Sequence, residues 1–207
     1  MIAVIGRVDA GPAVEVARRA AAAGATVELV ATAPVGRVGD AAVARLAGAR
    51  IGHAAVLRSP ATGLEPADLD LALRYLPDVT VVVLADPSPG LRGPAEEAAA
   101  WSGAALVVIA EPAPSDAGSG EAGSAEAGAS SDRHAEAAAF VLERPARDPD
   151  GAFLGVVAEL AARLDRGESG VVAWSGTTDR LALERVARAR VRDTEAAVSD
   201  RVAGASD

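Results

Sequence analysis

Val79-Thr80-Val81-Val82-Val83-Leu84 is a run of strand length, apolar except at Thr80, set between Pro77-Asp78 and Asp86-Pro87. A strand with one wet face alternates polar and apolar residues. A run without alternation belongs in a parallel sheet covered on both faces. Leu106–Ala110 repeats the pattern. Between such runs lie alanine-rich stretches with helical spacing. Working outward, the sequence predicts strands at Ile2–Ile5, Thr26–Ala31 and Ala54–Arg58, and helices at Pro12–Ala23, Asp40–Ala47 (Asp40 as N-cap), Pro66–Tyr75 and Gly93–Ser102. Pro12 and Pro66 suit first helical turns, and Gly24 and Pro77 suit stops. Strand–helix alternation of this kind predicts a three-layer α/β/α sandwich with a mostly parallel sheet.

After Ala110 the character changes. Pro112–Ser131 holds no Val, Ile, Leu or aromatic residue, so it reads as a flexible loop. Beyond it the patterns predict a strand at Ala137–Leu142, an amphipathic helix at Ala152–Leu164, a short last strand at Val171–Trp174, and a long Arg/Glu-rich helix at Asp179–Val202. Ser175–Asp179 reads as the cap of that last helix. The 207 residues suit one domain spanning 1–207.

Composition excludes several chemistries. There is no cysteine, hence no disulfide, zinc–thiolate site or thiol nucleophile. There is no lysine, hence no Schiff base and no Walker-type phosphate loop. The net charge of −9 argues against a nucleic-acid partner. No apolar run approaches the ~20 residues of a membrane span, and the N-terminal stretch goes straight into a strand without a basic leader region, so a cytoplasmic protein is expected. His53 and His134 share no motif and read as structural or surface residues.

In a parallel α/β sheet, ligands bind beyond the carboxyl ends of the strands, where strand order reverses. Gly6-Arg7-Val8-Asp9-Ala10-Gly11 follows the first strand and opens a helix, the physical recipe for an anion site. It lacks the G-x-G-x-x-G spacing, and Glu28 lies within the second strand, not at its tip. Val35-Gly36-Arg37-Val38-Gly39-Asp40 follows the second strand and would present Arg37 and the Gly39 amide to the same crevice.

Three stretches run in order at matching spacing: Gly11-Pro12-Ala13-Val14-Glu15-Val16-Ala17, Ala22-Ala23-Gly24-Ala25-Thr26-Val27-Glu28-Leu29-Val30, and Val35–Asp40. Together they resemble the N-terminal signature of the ribokinase-like (PfkB-type) carbohydrate kinases. Asp148-Pro149-Asp150-Gly151-Ala152-Phe153-Leu154-Gly155 resembles that family's second signature, G-A-G-D-A-F-x-G. The resemblance implies a ribokinase-like fold and a small sugar or nucleoside as substrate. ATP and Mg²⁺ follow as cofactors if kinase activity survives. It also implies a substrate set of Asp9, Gly11, Glu15, Arg37, Gly39 and Asp40, with Gly151 and Ala152 at the phosphate and Asp150 as general base.

The chain departs from the family at critical points. Glu15 stands where the family has a sugar-contacting Asn. Gly151 stands where the catalytic Asp belongs, and Asp148 and Asp150 replace the two anion-hole glycines. The β lid and the metal-associated N-x-x-E are missing. Phosphoryl transfer depends on positioning and on cancelling phosphate charge, so these departures predict a weakly active or silent, kinase-derived binder. Two other readings stay open: a regulatory protein that homodimerises through the 179–202 helix, whose apolar stripe is narrow, and a Rossmann-type nucleotide binder.

Overall fold

Strands β1 (Ile2–Ile5), β2 (Val27–Ala33) and β4 (Val81–Leu84) are buried at every position, and β5 (Ala105–Ala110) at its four central ones. In the computed structural model, which describes residues 1–8, 11–60, 63–86, 88, 90–111, 139–148 and 151–180, they form the middle of one sheet. Short β3 (Val56–Arg58) and β6 (Ala139–Glu143) form its edges. The order is β3-β2-β1-β4-β5-β6 and every pairing is parallel.

Parallel neighbours need crossovers, and crossovers are right-handed. The chain steps from β1 out to β3, returns to β4 beside β1, and steps out the other way to β6. Helices α1 (Pro12–Ala22), α2 (Arg37–Gly48) and α5 (Ala152–Asp165) therefore cover one face. Helices α3 (Pro66–Tyr75) and α4 (Arg92–Ser102) cover the other. The three-layer, Rossmann-like α/β architecture is the one the sequence predicts. Ile5 pairs with Val30 on one side and Leu84 on the other, so β1 and β4 end level while β2 runs on to Ala33. The reversal of strand order falls between β1 and β4.

Both core clusters consist of Ala, Val, Leu and Ile among their fully buried members. Alanine on the helices lets them lie close to the sheet. Contact is tightest at Gly6, where a Cβ would stand 2.5 Å from the Ala13 Cβ. Inside the sheet, Glu28 is only 9% exposed, and its Oε1 accepts the Ala55 N–H at 3.1 Å. A Cβ on Gly52 would meet the Glu28 carboxylate, so glycine at 52 makes room for this strand-to-strand tie.

Four expectations need correction. Val171–Trp174 is not a strand: residues 170–180 form a helix, α6. Ala173 and Thr177, one turn apart, are buried, Trp174 stacks on Phe140 of β6, and Val171 is left 82% exposed. A strand would have needed a free, covered sheet edge for those valines, whereas helical spacing buries one stripe. Ser175–Asp179 is accordingly no cap. It lies inside α6, where the Thr177 and Thr178 hydroxyls donate to the carbonyls of Ala173 and Trp174. Asp40 is not an N-cap either, because α2 begins at Arg37 with Gly36 as its N-cap at φ 93°. The third strand is shorter than expected, since a turn from His53 to Val56 occupies its start. The 112–131 loop and the 181–202 part of the long helix lie outside the described residues.

Removing the Glu28 acceptor should be costly. Glu28→Ala leaves the Ala55 N–H without its partner and is expected to destabilise by about 1–3 kcal/mol in urea unfolding, whereas Glu28→Gln, which keeps an oxygen there, should lose less.

Candidate functional site

The switch point between β1 and β4 is built by Gly6, the start of α1, and Asp86. A Cβ on Gly6 would lie 3.4 Å from the Asp86 Cβ. Half-buried Asp86 is the first polar residue after β4, and its Oδ1 accepts the Ser88 hydroxyl at 2.9 Å. Gly11 is the N-cap of α1, with extended backbone and open space where a Cβ would be. Pro12 at the first helical position gives up a donor that the helix could not have satisfied internally. No side chain among the described residues caps this end, and the first turn carries the partial positive charge of a helix start.

Glu15 sits on the first turn of α1 and is engaged by its own helix. Arg18 Nη2 donates to its Oε1 at 2.7 Å, Arg18 Nε donates to Oε2 at 2.9 Å, and Arg19 Nε donates to Oε1 at 2.5 Å. The Arg18 hydrogen bond holds the Glu15 carboxyl below its ordinary 4.5; partial burial opposes this, and Arg19 and both positive charges reinforce it. The same contact raises the Arg18 guanidinium.

Arg19 also bridges to α5. Cβ atoms on Gly151 and Gly155 would each lie 2.8 Å from its terminal nitrogens. The guanidinium thus rests on a glycine face of α5 while its Nε holds Glu15. This contact joins the two stretches that resemble the kinase signatures. Helix α5 starts from Gly151, its N-cap, at φ 63°. Phe153 N–H donates to Asp148 Oδ1 at 3.2 Å, and Gly151 N–H donates to the Asp148 carbonyl at 3.2 Å. A carboxylate of the chain itself therefore holds one first-turn amide, next to Gly151 and Ala152, where the resemblance would seat a phosphate.

The second-strand motif is turned elsewhere. Gly39 is buried, and a Cβ there would overlap the Pro34 carbonyl oxygen. Asp40 pairs with Arg58 at the end of β3 at 2.6 Å, and Arg58 Nη1 donates to the Pro34 carbonyl at 3.3 Å. Gly39 and Asp40 thus clamp α2 to β3. Arg37 is exposed and has no hydrogen bond or ion pair among the described residues. Ala152 lies in the first turn of α5. Asp9 and Asp150 lie outside the described residues.

Gly11, Glu15, Gly151 and Ala152, singled out in the sequence, lie on the two helices of this corner; Arg19 was missed, and Asp86 falls in Ala85–Gly90, a strand-end stretch where ligand groups are expected but in which no residue was singled out. The position of Asp86, directly after a buried run at a strand end, was the available signal. No group of three or more His, Asp or Glu among the described residues is arranged to hold a metal ion. No helix among them is long and apolar enough to cross a membrane. The chain matches no protein-family model and no curated protein.

The Glu15–arginine cluster has a testable pH signature. A carboxyl whose folded pKa is depressed stabilises the fold above its unfolded value and loses that contribution as pH falls through the folded value. The stability lost in Glu15→Gln should be present at pH 7 and shrink below about pH 4.5. Urea midpoints of both proteins from pH 7 to 3.5 would show it, and a gap constant with pH would contradict it.

Proposed function

We propose that this protein binds a small polyhydroxylated ligand, a sugar or nucleoside, at the carboxyl ends of β1 and β4 and does not phosphorylate it efficiently. What carries the reading is the α1–α5 corner. Two segments far apart in the chain, each resembling a ribokinase-type signature, meet through Arg19 at the end of the sheet where α/β proteins bind ligands. Asp86 supplies a hydroxyl-accepting carboxylate at the switch point, and the first turn of α1 supplies donors.

Catalytic weakness follows from charge. Kinases cancel phosphate charge with amides, cations and metal. Here the Asp148 carboxylate engages the Phe153 amide, and the Arg18 and Arg19 cations are already occupied by Glu15. The Gly151 that stands at the catalytic position carries no base. ATP and Mg²⁺ are cofactors on this reading only if Asp150 serves as base.

A Rossmann-type nucleotide binder is the second reading. The strand order 3-2-1-4-5-6 favours it, being the order of dinucleotide-binding sheets. Against it stand the absent G-x-G-x-x-G and Glu28, whose carboxylate is tied to Ala55 inside the sheet, not free at the strand tip for a ribose.

Two experiments separate these readings. In a thermal-shift screen, a polyol or nucleoside at 100 times its dissociation constant should raise Tm by about 5–10 °C. NAD or ATP–Mg²⁺ should do less, and the reverse ranking selects the nucleotide binder. ADP release with pentoses, hexoses and nucleosides should stay at background; turnover near the ~1 s⁻¹ of slow kinases, lost in Asp150→Ala, would establish an active kinase instead. In Asp148→Ala the Phe153 amide is freed. Inorganic phosphate should then raise Tm in the variant and leave the parent protein unchanged.

A further inference from the structure

At the other end of the sheet, the last turns of α3 and α4 and the 76–79 connection enclose a cleft of about 400 Å³. Val79 and Val82 line it, and Tyr75 and Trp101 stand beside it 79% and 77% exposed. In a chain with 2% aromatics and an aliphatic core, these two rings cover no core.

Arg74 and the Trp101 indole N–H are donors in the lining, and Arg74 is taken up by Asp70; the groups left open are acceptors. Helix α4 is closed: Ser102 Oγ donates to the Ala98 carbonyl at 2.8 Å, and the Gly103 and Ala104 amides both donate to Ala99. Helix α3 is not. Its C-cap Leu76 is extended, Pro77 has no N–H, and no backbone amide among the described residues caps its last carbonyls. The negative end of the α3 dipole is therefore open beside the cleft. The exposed Asp78 carboxylate lines the same cleft and has no partner among the described residues. Nearby cations are already matched: Arg74 Nε donates to Asp70 at 2.9 Å, and the Met1 ammonium, which donates to the Asp78 carbonyl, pairs with Asp165 at 2.7 Å.

Exposed aromatic faces, open carbonyls and a free carboxylate around an apolar floor are complementary to one ligand chemistry. We propose that the α3–α4 cleft binds a small organic ammonium cation, with Tyr75 and Trp101 as cation–π walls and Asp78 and the α3 carbonyls as its counter-charge. This site is separate from the strand-end crevice and does not depend on the function proposed there.

Choline and its neutral isostere 3,3-dimethyl-1-butanol test the idea on the full chain, followed through the two tryptophan indole N–H resonances, with Trp101→Phe assigning them. Choline should move the Trp101 signal to saturation at millimolar concentration, and the isostere should bind about fivefold or more weakly. Asp78→Asn and Tyr75→Leu, both at exposed positions, should each weaken choline about threefold or more while leaving Tm unchanged. Three results would overturn the proposal: no saturation by 100 mM choline, equal affinity for the isostere, or a Trp101 signal that shifts with protein concentration alone, which would mean that a second copy covers the cleft.

Discussion

A sheet whose fully buried side chains are no larger than leucine has to bring its helices close, and the rest of this structure follows from that approach. With Phe140 and Phe153 only partly buried against the core, the alanine-faced helices pack directly on the strands, as at Gly6 and Ala13. Long polar side chains then have little room. The structure finds room by laying them on glycines: Arg19 over Gly151 and Gly155, Arg163 against Gly176, Glu28 against Gly52, and Arg58 against Gly39. In each case a Cβ would fall within 3 Å of the charged group, so these glycines serve side-chain placement as much as backbone conformation. The arrangement also makes polar ties local and tight. Arg163 holds Glu159 at 3.0 Å and Glu168 at 2.9 Å on α5 and just beyond it, while Gly176 of α6 crosses its guanidinium.

The parallel sheet was legible because its signal is local. Continuous apolar runs and helical spacing lie within ten residues, and α3 occupies the span predicted from Pro66, Leu69, Leu73 and Pro77. Other boundaries moved by one to three residues where neighbouring strands decided them, as β2 extends to Ala33 to pair with Arg58 of β3. Val171–Trp174 misled because a β-branched run resembles a strand whatever lies next to it. What decides its state is Phe140, more than thirty positions earlier, whose ring receives Trp174 only if the segment is helical.

The helix starts at the α1–α5 corner were legible, and the contacts of the charged residues were not. Glycines at 11 and 151 do start the two helices that meet at the strand ends. The charged residues beside them could not be assigned from the chain alone, because their partners are set by packing. Asp40 looks like a cap or a ligand residue until Arg58, eighteen positions on, arrives from β3. Glu15 looks like a sugar contact until Arg18 and Arg19 fold onto it with one turn of helix.

Asp148 shows how a helix start trades anion binding for stability. A helix start with free amides is an anion site only while those amides remain free. A carboxylate placed on one of them stabilises the helix by about 0.5–2 kcal/mol, the range of a side-chain cap. The same hydrogen bond that fixes the start of α5 therefore removes a donor from any incoming phosphate and adds a charge that repels it. Stability and phosphate binding compete for a single N–H. Ligands that need no anion hole, such as neutral polyols, escape that competition, because the groups they would use at Asp86 and the first turn of α1 are not engaged by Asp148. The α1–α5 contact through Arg19 is likewise independent of that hydrogen bond, so the shape of the corner does not rest on the Asp148 carboxylate.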